Sequence, residues 1–259
     1  MAARVGDAGP GERGKVRVSV SPALVGACPS LDCLTPGGLE ALADVARQTL
    51  FEPGDRLVPP GQPHERLLIL TDGLAKMVGV PQHGQERILF LFQPFDMVGP
   101  SVLMDGTDSD HEVVAVVRTR ALAVGRRDAL IIARSHPSLL LALAREISRQ
   151  LVAMTERIMD TTSAQVPVRL SKLLLDFSRE NGDPGAYVPL RHALTHDTMA
   201  KIIGASRPHT SSTLRLLEEC GAVLRQSRSG LLVRPSRLRM IVDEGTLGDP
   251  GFLRQDLSA

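Results

Sequence analysis

The sequence predicts an α+β protein in three parts: an N-terminal antiparallel beta-roll (a double-stranded beta-helix, cupin-like), a long dimerisation helix, and a C-terminal winged helix-turn-helix. Three observations predict it. Between residues 49 and 126 the apolar residues fall in short runs broken by Gly, Pro and Asp, and from Leu140 to Ile158 they recur at alternating intervals of four and three. From Leu194 to Gly221, two short helical patterns meet at a tight corner. Short runs with frequent turns make strands, a four-three repeat makes a narrow helical seam, and a capped pair of short helices makes a helical hairpin.

Residues 1–20 are rich in Gly, Arg and Ala without a periodic apolar face, and read as a flexible leader. Pro36 suits the first turn of a helix in which Leu39, Leu42, Ala43 and Ala46 repeat at helical spacing. Within a roll domain of residues 21–135, the segments LFEPGDRLV, LLILTDGLAKMVGV, ERILFLF, VVAVV and ALAV supply the strands. Turns are specified at Pro53-Gly54-Asp55 and Thr71-Asp72-Gly73. The interior of such a roll is concave and suits a small effector, for which Ser101, His111, Arg118 and Arg120 are the candidate polar contacts.

Arg127 to Ser135 reads as a short helix and residues 137–159 as a long one. Along the latter, Leu140, Ala144, Ile147, Leu151, Met154 and Ile158 form the seam of a two-stranded coiled coil, while Leu139, Leu141 and Leu143 suit first turns that cover the roll. A parallel homodimer follows, with a hinge at Thr161–Gln165, so that helix and hinge occupy residues 136–165. The domain of residues 166–242 begins with a helix, Val166–Ser178, packed through Leu170, Leu173, Leu174 and Phe177. Asn181–Gly185 is then a turn, Tyr187–Leu190 a short strand, and Pro235 opens a last helix with Leu238 and Ile241; residues 243–259 form a loosely ordered tail.

In the helical hairpin, Thr195 caps a helix carrying Met199, Ile202 and Ile203, Gly204 supplies the positive φ that stops it, and Ser206 caps the next. The second helix turns Thr213, Leu214, Leu216 and Leu217 toward a core and presents Arg207, His209, Ser211, Ser212 and Arg215 outward. Ala222–Arg225 and Leu231–Val233 make a two-stranded wing whose tip carries Arg225 and Arg228. A helix face of donors with almost no acid fits the major groove of double-stranded DNA. Arg207 and His209 are the base readers; Thr195, Lys201, Ser206, Thr210, Arg215 and Arg228 are the phosphate contacts; the Ser211 and Ser212 hydroxyls serve either.

The formal net charge of +1 over 259 residues conceals an asymmetry: residues 166–240 carry twelve Lys or Arg against six Asp or Glu. A basic C-terminal region beside a net negative remainder suits one polyanion-binding surface rather than a general nucleic-acid coat. No phosphate-binding Gly-Lys loop, no nucleophile with its base and no ligand motif among the seven histidines supports an enzyme. Cys28, Cys33 and Cys220 leave one thiol over in any disulfide scheme, and the Cys28–Cys33 spacing lacks the further ligands of a zinc or cluster site; neither metal nor cofactor is expected. Without a membrane-length apolar run or a signal-peptide core, the expected location is cytoplasmic, with no membrane partner.

Through Gly204, Ser206, Arg207, Leu214, Leu217, Glu218 and the wing that follows, the chain resembles the family of bacterial transcription regulators that includes the cyclic-AMP receptor protein and the FNR oxygen sensor. The turns of the roll match that family as well. The resemblance implies that the second helix reads DNA, that the arginine falling on Arg207 contacts a guanine, and that RNA polymerase is a partner. Two further base-reading positions of the cyclic-AMP receptor protein, normally Glu and Arg, are Pro208 and Ser212 here, so a shared docking mode does not imply a shared operator. The family roll holds cyclic nucleotides through a Gly-Glu and, some residues later, an Arg-Ser or Arg-Thr pair. This chain has Gly99-Pro100 in the first place and Asp108, Ser109, Asp110, His111 and Glu112 near the second. A phosphate against Asp110 and Glu112 would meet like charge, so control by cyclic AMP is not expected. Another small molecule or haem in the roll is the alternative; a cyclic-nucleotide adaptor without DNA binding fits neither the roll nor the basic helix.

Overall fold

The computed structural model describes residues 20–79, 87–104, 111–179, 183, 185–226 and 230–246. The chain forms two compact units, residues 1–154 and 155–259. In the first, α1 (Pro22–Gly26), a single 3-10 turn (Pro29–Leu31) and α2 (Pro36–Val45) precede the strands. The Ser21 and Thr35 side chains cap α1 and α2, accepting from the backbone of Ala23 and Gly38, and each helix has proline in its first turn. A five-residue helix is too short to show a period, which is why the sequence pointed only to α2.

Among the described residues eight strands follow: β1 (Arg47–Phe51), β2 (Arg56–Val58), β3 (Arg66–Asp72), β4 (Ala75–Gly79), β5 (Arg87–Phe92), β6 (Met97–Val98), β7 (His111–Ala115) and β8 (Thr119–Gly125). They pair antiparallel in two four-stranded sheets, β1-β8-β3-β6 and β2-β7-β4-β5, so the chain changes sheet at every connection except β4 to β5. That alternation is the double-stranded roll. Every strand contributes to its interior, including Phe51, Val58, Leu70, Met77, Phe92, Val98, Val113 and Ala121. The opposite parity of the first sheet, Leu67, Ile69, Met97, Leu122 and Val124, packs instead against Val25, Leu42, Ile132, Leu139 and Leu143 of the surrounding helices. Gly73 shows how tightly the turns close: at φ 96°, an added Cβ would stand 2.6 Å from Thr119 and from the Arg118 carbonyl oxygen.

After α3 (Arg126–Ser135), α4 runs from Ser138 to Ser163. The helix continues past the expected end near Met159, so the segment Thr161–Gln165 is not all hinge: only Ala164 and Gln165 lie between α4 and the next helix. Leu139, Ala142, Leu143, Glu146 and Gln150 form its buried stripe, while Leu141, expected to cover the roll, is 51% exposed.

The second unit contains α5 (Val166–Phe177), β9 (Val188–Pro189), α6 (His196–Ile203), α7 (Arg207–Glu219), β10 (Val223–Gln226), β11 (Gly230–Val233) and α8 (Pro235–Glu244). Leu170, Leu174, Phe177, Met199, Ile203, Leu214, Leu217, Leu238 and Ile241 are buried together with the inner side of a three-stranded sheet ordered β10-β11-β9. Tyr187, the chain's single tyrosine, ties this unit's sheet to the end of α7: its hydroxyl donates to the Gly221 carbonyl at 2.9 Å, and the Arg234 guanidinium lies 4.4 Å from its ring centre.

Candidate nucleic-acid interface and the roll

The corner of the helix-turn-helix is built by three local devices. Thr195 Oγ1 accepts from Thr198 N–H at 3.0 Å, Gly204 ends α6 at φ 64°, and Ser206 Oγ accepts from His209 N–H at 3.3 Å. Pro208 in the first turn of α7 removes only an amide hydrogen that has no partner within the helix. Arg207, Pro208, His209, Ser212 and Arg215 are exposed, whereas Thr213, Leu214 and Leu217 are buried. Arg207, Ser211 and Arg215 succeed each other at i, i+4 and therefore share one stripe.

Two expectations for this helix are corrected. Thr210 was expected to meet phosphate, but it is fully buried and its hydroxyl donates to the Ser206 carbonyl at 3.1 Å, because residues 210, 213, 214 and 217 share the inward face. Leu216, expected in the core, is 38% exposed. Ser211 is half-buried with its hydroxyl 2.9 Å from Nδ1 of His196, a contact between α6 and α7 that no motif in the sequence announced. Burial, and after it the positive charges of Arg225 and Arg207, hold the His196 imidazole below its ordinary pKa. Lys201 pairs with Asp197 at 3.1 Å, and Arg225 is held to Glu218 at 3.2 Å; Arg228 lies outside the described residues.

On α4, Leu140, Leu151 and Ile158 of the expected seam are 51%, 64% and 63% exposed, and Ala144 is exposed too. Ile147 is half-buried, and Met154 packs against the interior residues of the roll, which corrects its place in the seam. Exposed Leu141, Val152 and Met159 widen the outward stripe on its other side. The buried stripe of α4 is joined to the roll by polar groups: Ser30 Oγ donates to Glu146 at 2.6 Å, Gln150 donates to Glu146 at 2.6 Å and to the Met97 carbonyl at 2.8 Å, and Arg149 donates to both Glu146 and Asp96.

The four expected effector contacts separate. Ser101 and His111 come together around His64, whose Nδ1 is 2.9 Å from Ser101 Oγ and whose ring centre is 5.8 Å from that of His111. Arg118 and Arg120 do not join them. Both side chains are more than half exposed and pair with Glu52 and Asp72, Arg120 because it has the parity of Leu122 and Val124, away from the interior. Asp108 to Asp110 lie outside the described residues. Cys28 and Cys220 are buried and Cys33 is half-buried; burial pushes the Cys28 thiol up to about 11, which makes it inert near neutral pH.

A roll of this topology joined to a winged helix-turn-helix defines a class of DNA-binding transcription regulators. The Cyclic nucleotide-binding domain profile matches residues 48–136 and the Crp-like helix-turn-helix domain profile matches residues 168–241. The chain belongs to the CRP/FNR family. It is 25% identical over 204 residues to the CRP-like cAMP-activated global transcriptional regulator of Mycobacterium tuberculosis, covering 78% of this chain and 91% of that one. It is 27% identical over 196 residues to the Global nitrogen regulator of Nostoc sp., covering 70% and 86%. Among solved structures, FixK2 from Bradyrhizobium japonicum superposes with a TM-score of 0.65 at 17% identity, over 76% of this chain and 96% of that one, a likeness of fold. No helix among the described residues is long and apolar enough to cross a membrane.

Proposed function

We propose that this regulator acts as a homodimer that reads an imperfectly palindromic DNA site with α7 of each subunit and is not controlled by cyclic AMP. One observation carries the reading: α7 offers exposed Arg207, His209, Ser212 and Arg215 on a helix whose other side is locked by buried Thr210, Thr213, Leu214 and Leu217. A donor-rich face on a rigid backing can enter the major groove without a backbone ordering cost, leaving only the side chains to be fixed. Arg207 and His209 address bases, Ser211 and Ser212 serve bases or phosphates, and Thr195, Lys201, Ser206, Arg215 and Arg228 address phosphates. Thr210 supports the helix from within.

The exposed stripe of α4 around Leu140, Ala144, Leu151 and Ile158 is the dimer surface, with Ile147 at its margin, because an apolar stripe of this length repeats at the spacing of a two-stranded seam. Two subunits so joined present two reading helices about one DNA turn apart. Independence from cyclic AMP, in contrast to the cAMP-activated relative, rests on the outward, acid-paired Arg118 and Arg120 and on Pro100 after Gly99. Its site of action is the cytoplasm, beside RNA polymerase. Selection of bound duplexes from a random pool, with sedimentation of the protein alone, tests the reading: a two-fold-related consensus bound by a dimer is expected, and a monomer that enriches no sequence overturns it. Calorimetry with cyclic AMP should give no specific heat, and micromolar binding in the roll would overturn the effector part.

A further inference from the structure

We propose that His64 and His111 form a two-imidazole site for a borderline divalent transition-metal ion such as Zn2+, where the turn containing Ser101 meets the start of β7. His64 is buried, with 8% of its surface exposed. Its Nδ1 lies 2.9 Å from Ser101 Oγ, and its Nε2 is buried without a hydrogen-bond partner. Buried polar atoms are paired as a rule, and an orphan asks for a reason. With the proton on Nδ1 and donated to Ser101, Nε2 carries a lone pair, which is how a metal-binding imidazole is fixed by the group on its other nitrogen.

The second imidazole is in place. The rings of His64 and His111 are centred 5.8 Å apart and inclined at 78°. Two imidazole nitrogens about 2 Å from one shared ion put their ring centres about 5 to 6 Å apart. Burial lowers the pKa of both, and for His111 the proximity of His64 lowers it further, so both are neutral ligands near pH 7. Glu112, the neighbouring acid, is engaged by Arg56 at 2.6 Å. Among the described residues no third His, Cys, Asp or Glu completes the set. The histidine pattern alone concealed this site, since His64 lies in the loop before β3, His111 starts β7, and the two share no motif spacing.

The test is competition of the full chain with a chromophoric chelator for Zn2+, on wild type, H64Q, H111Q and S101A, with H136Q as the control. Wild type is expected to bind one equivalent per chain with micromolar affinity and to melt at higher temperature with Zn2+ present. H64Q and H111Q should lose that equivalent, H136Q should keep it, and S101A, which retains both imidazoles, should weaken it about 10- to 100-fold. Imidazole resonances of selectively labelled wild type give a readout that needs no folded variant: those of His64 and His111 should move with the first equivalent. Absence of binding by wild type, unchanged affinity in folded H64Q and H111Q, or resonances that stay still as Zn2+ binds would overturn the proposal.

Discussion

Arg149 of α4 donates to Asp96, in the turn before β6, at 2.9 Å, and the same guanidinium donates to Glu146 at 2.6 Å. It therefore joins a helical carboxylate that is 1% exposed to a turn of the roll, with Phe90 lying 5.7 Å from the guanidinium carbon. Burial drives the Asp96 carboxyl up to about 6, against the Gln93 amide and Arg149, which act to lower it. A carboxyl raised in the folded state holds more protons there than in the unfolded chain between about pH 4 and pH 6, so its contribution to stability falls as pH rises through that window. Asp96→Asn abolishes the titration. Whatever its constant offset, the variant should gain on wild type by up to about 3 kcal/mol between pH 4 and pH 7 in urea unfolding. A pH-independent difference would return Asp96 to an ordinary carboxylate.

Beside Asp96, Phe95 has φ 72°, and its amide donates to the Leu70 carbonyl at 2.7 Å. A phenylalanine in the left-handed region is strained, and among the described residues it is the only non-glycine with positive φ. Truncation to alanine and to glycine both remove the ring, so their difference isolates the backbone. Phe95→Gly should be more stable than Phe95→Ala by about 1 kcal/mol in urea unfolding, the reverse of the order in a helix interior. Equal stabilities would mean that the turn relaxes once the ring is gone.

The parts of this protein governed by local rules were legible in its sequence. Thr195, Gly204 and Ser206 cap and stop the helices as their chemistry requires, and the short apolar runs broken by turns mark the strands of the roll. What depended on partners distant in sequence was not. Nothing beside Arg118 and Arg120 announced that Glu52 and Asp72 would hold them outward, or that Thr210 would turn inward while Ser211 met His196. A one-residue difference around a helix moves a side chain by about 100°, so a list of polar residues on α7 mixed groove-facing and core-facing positions. His64 and Glu146 illustrate the same limit: each matters through residues 37 and 116 positions away.

The stripe of α4 makes a prediction about assembly. Leu151 and Ile158 are the most exposed of its large apolar side chains, so charging them disturbs the subunit's own core less than charging Ile147 or Met154 would. The double substitution Leu151→Asp, Ile158→Asp would bury four carboxylates in a two-fold interface. Sedimentation should give a dimer for wild type and a monomer for the variant at micromolar concentration, with a cooperative melting transition retained at lower temperature and loss of tight operator binding. A wild-type protein that stays monomeric with operator present removes the basis of the two-helix reading.

The reading of bases is separable from the holding of phosphates, and α7 offers both kinds of residue for comparison. Arg207 stands in the first turn after the Ser206 cap, where a permanently charged planar fork can pair with both acceptors of a guanine edge. Arg215 lies two turns on and exposed, suited to the backbone of the duplex. Arg207→Ala should lose about 1 to 3 kcal/mol of discrimination per half-site, nearly all of it between a selected operator and one with the guanine replaced. Arg215→Ala should weaken both duplexes by similar factors and make the salt dependence shallower by about one counterion per site. Thr210→Val, altering a buried hydroxyl bonded to the Ser206 carbonyl, should cost about 1 kcal/mol of stability and leave discrimination unchanged. Fluorescence anisotropy with both duplexes across a salt series measures all three. If R207A keeps wild-type affinity and discrimination, the guanine contact lies elsewhere on the protein; if T210V erases discrimination while remaining folded, the inward face of α7 has been assigned to the wrong side.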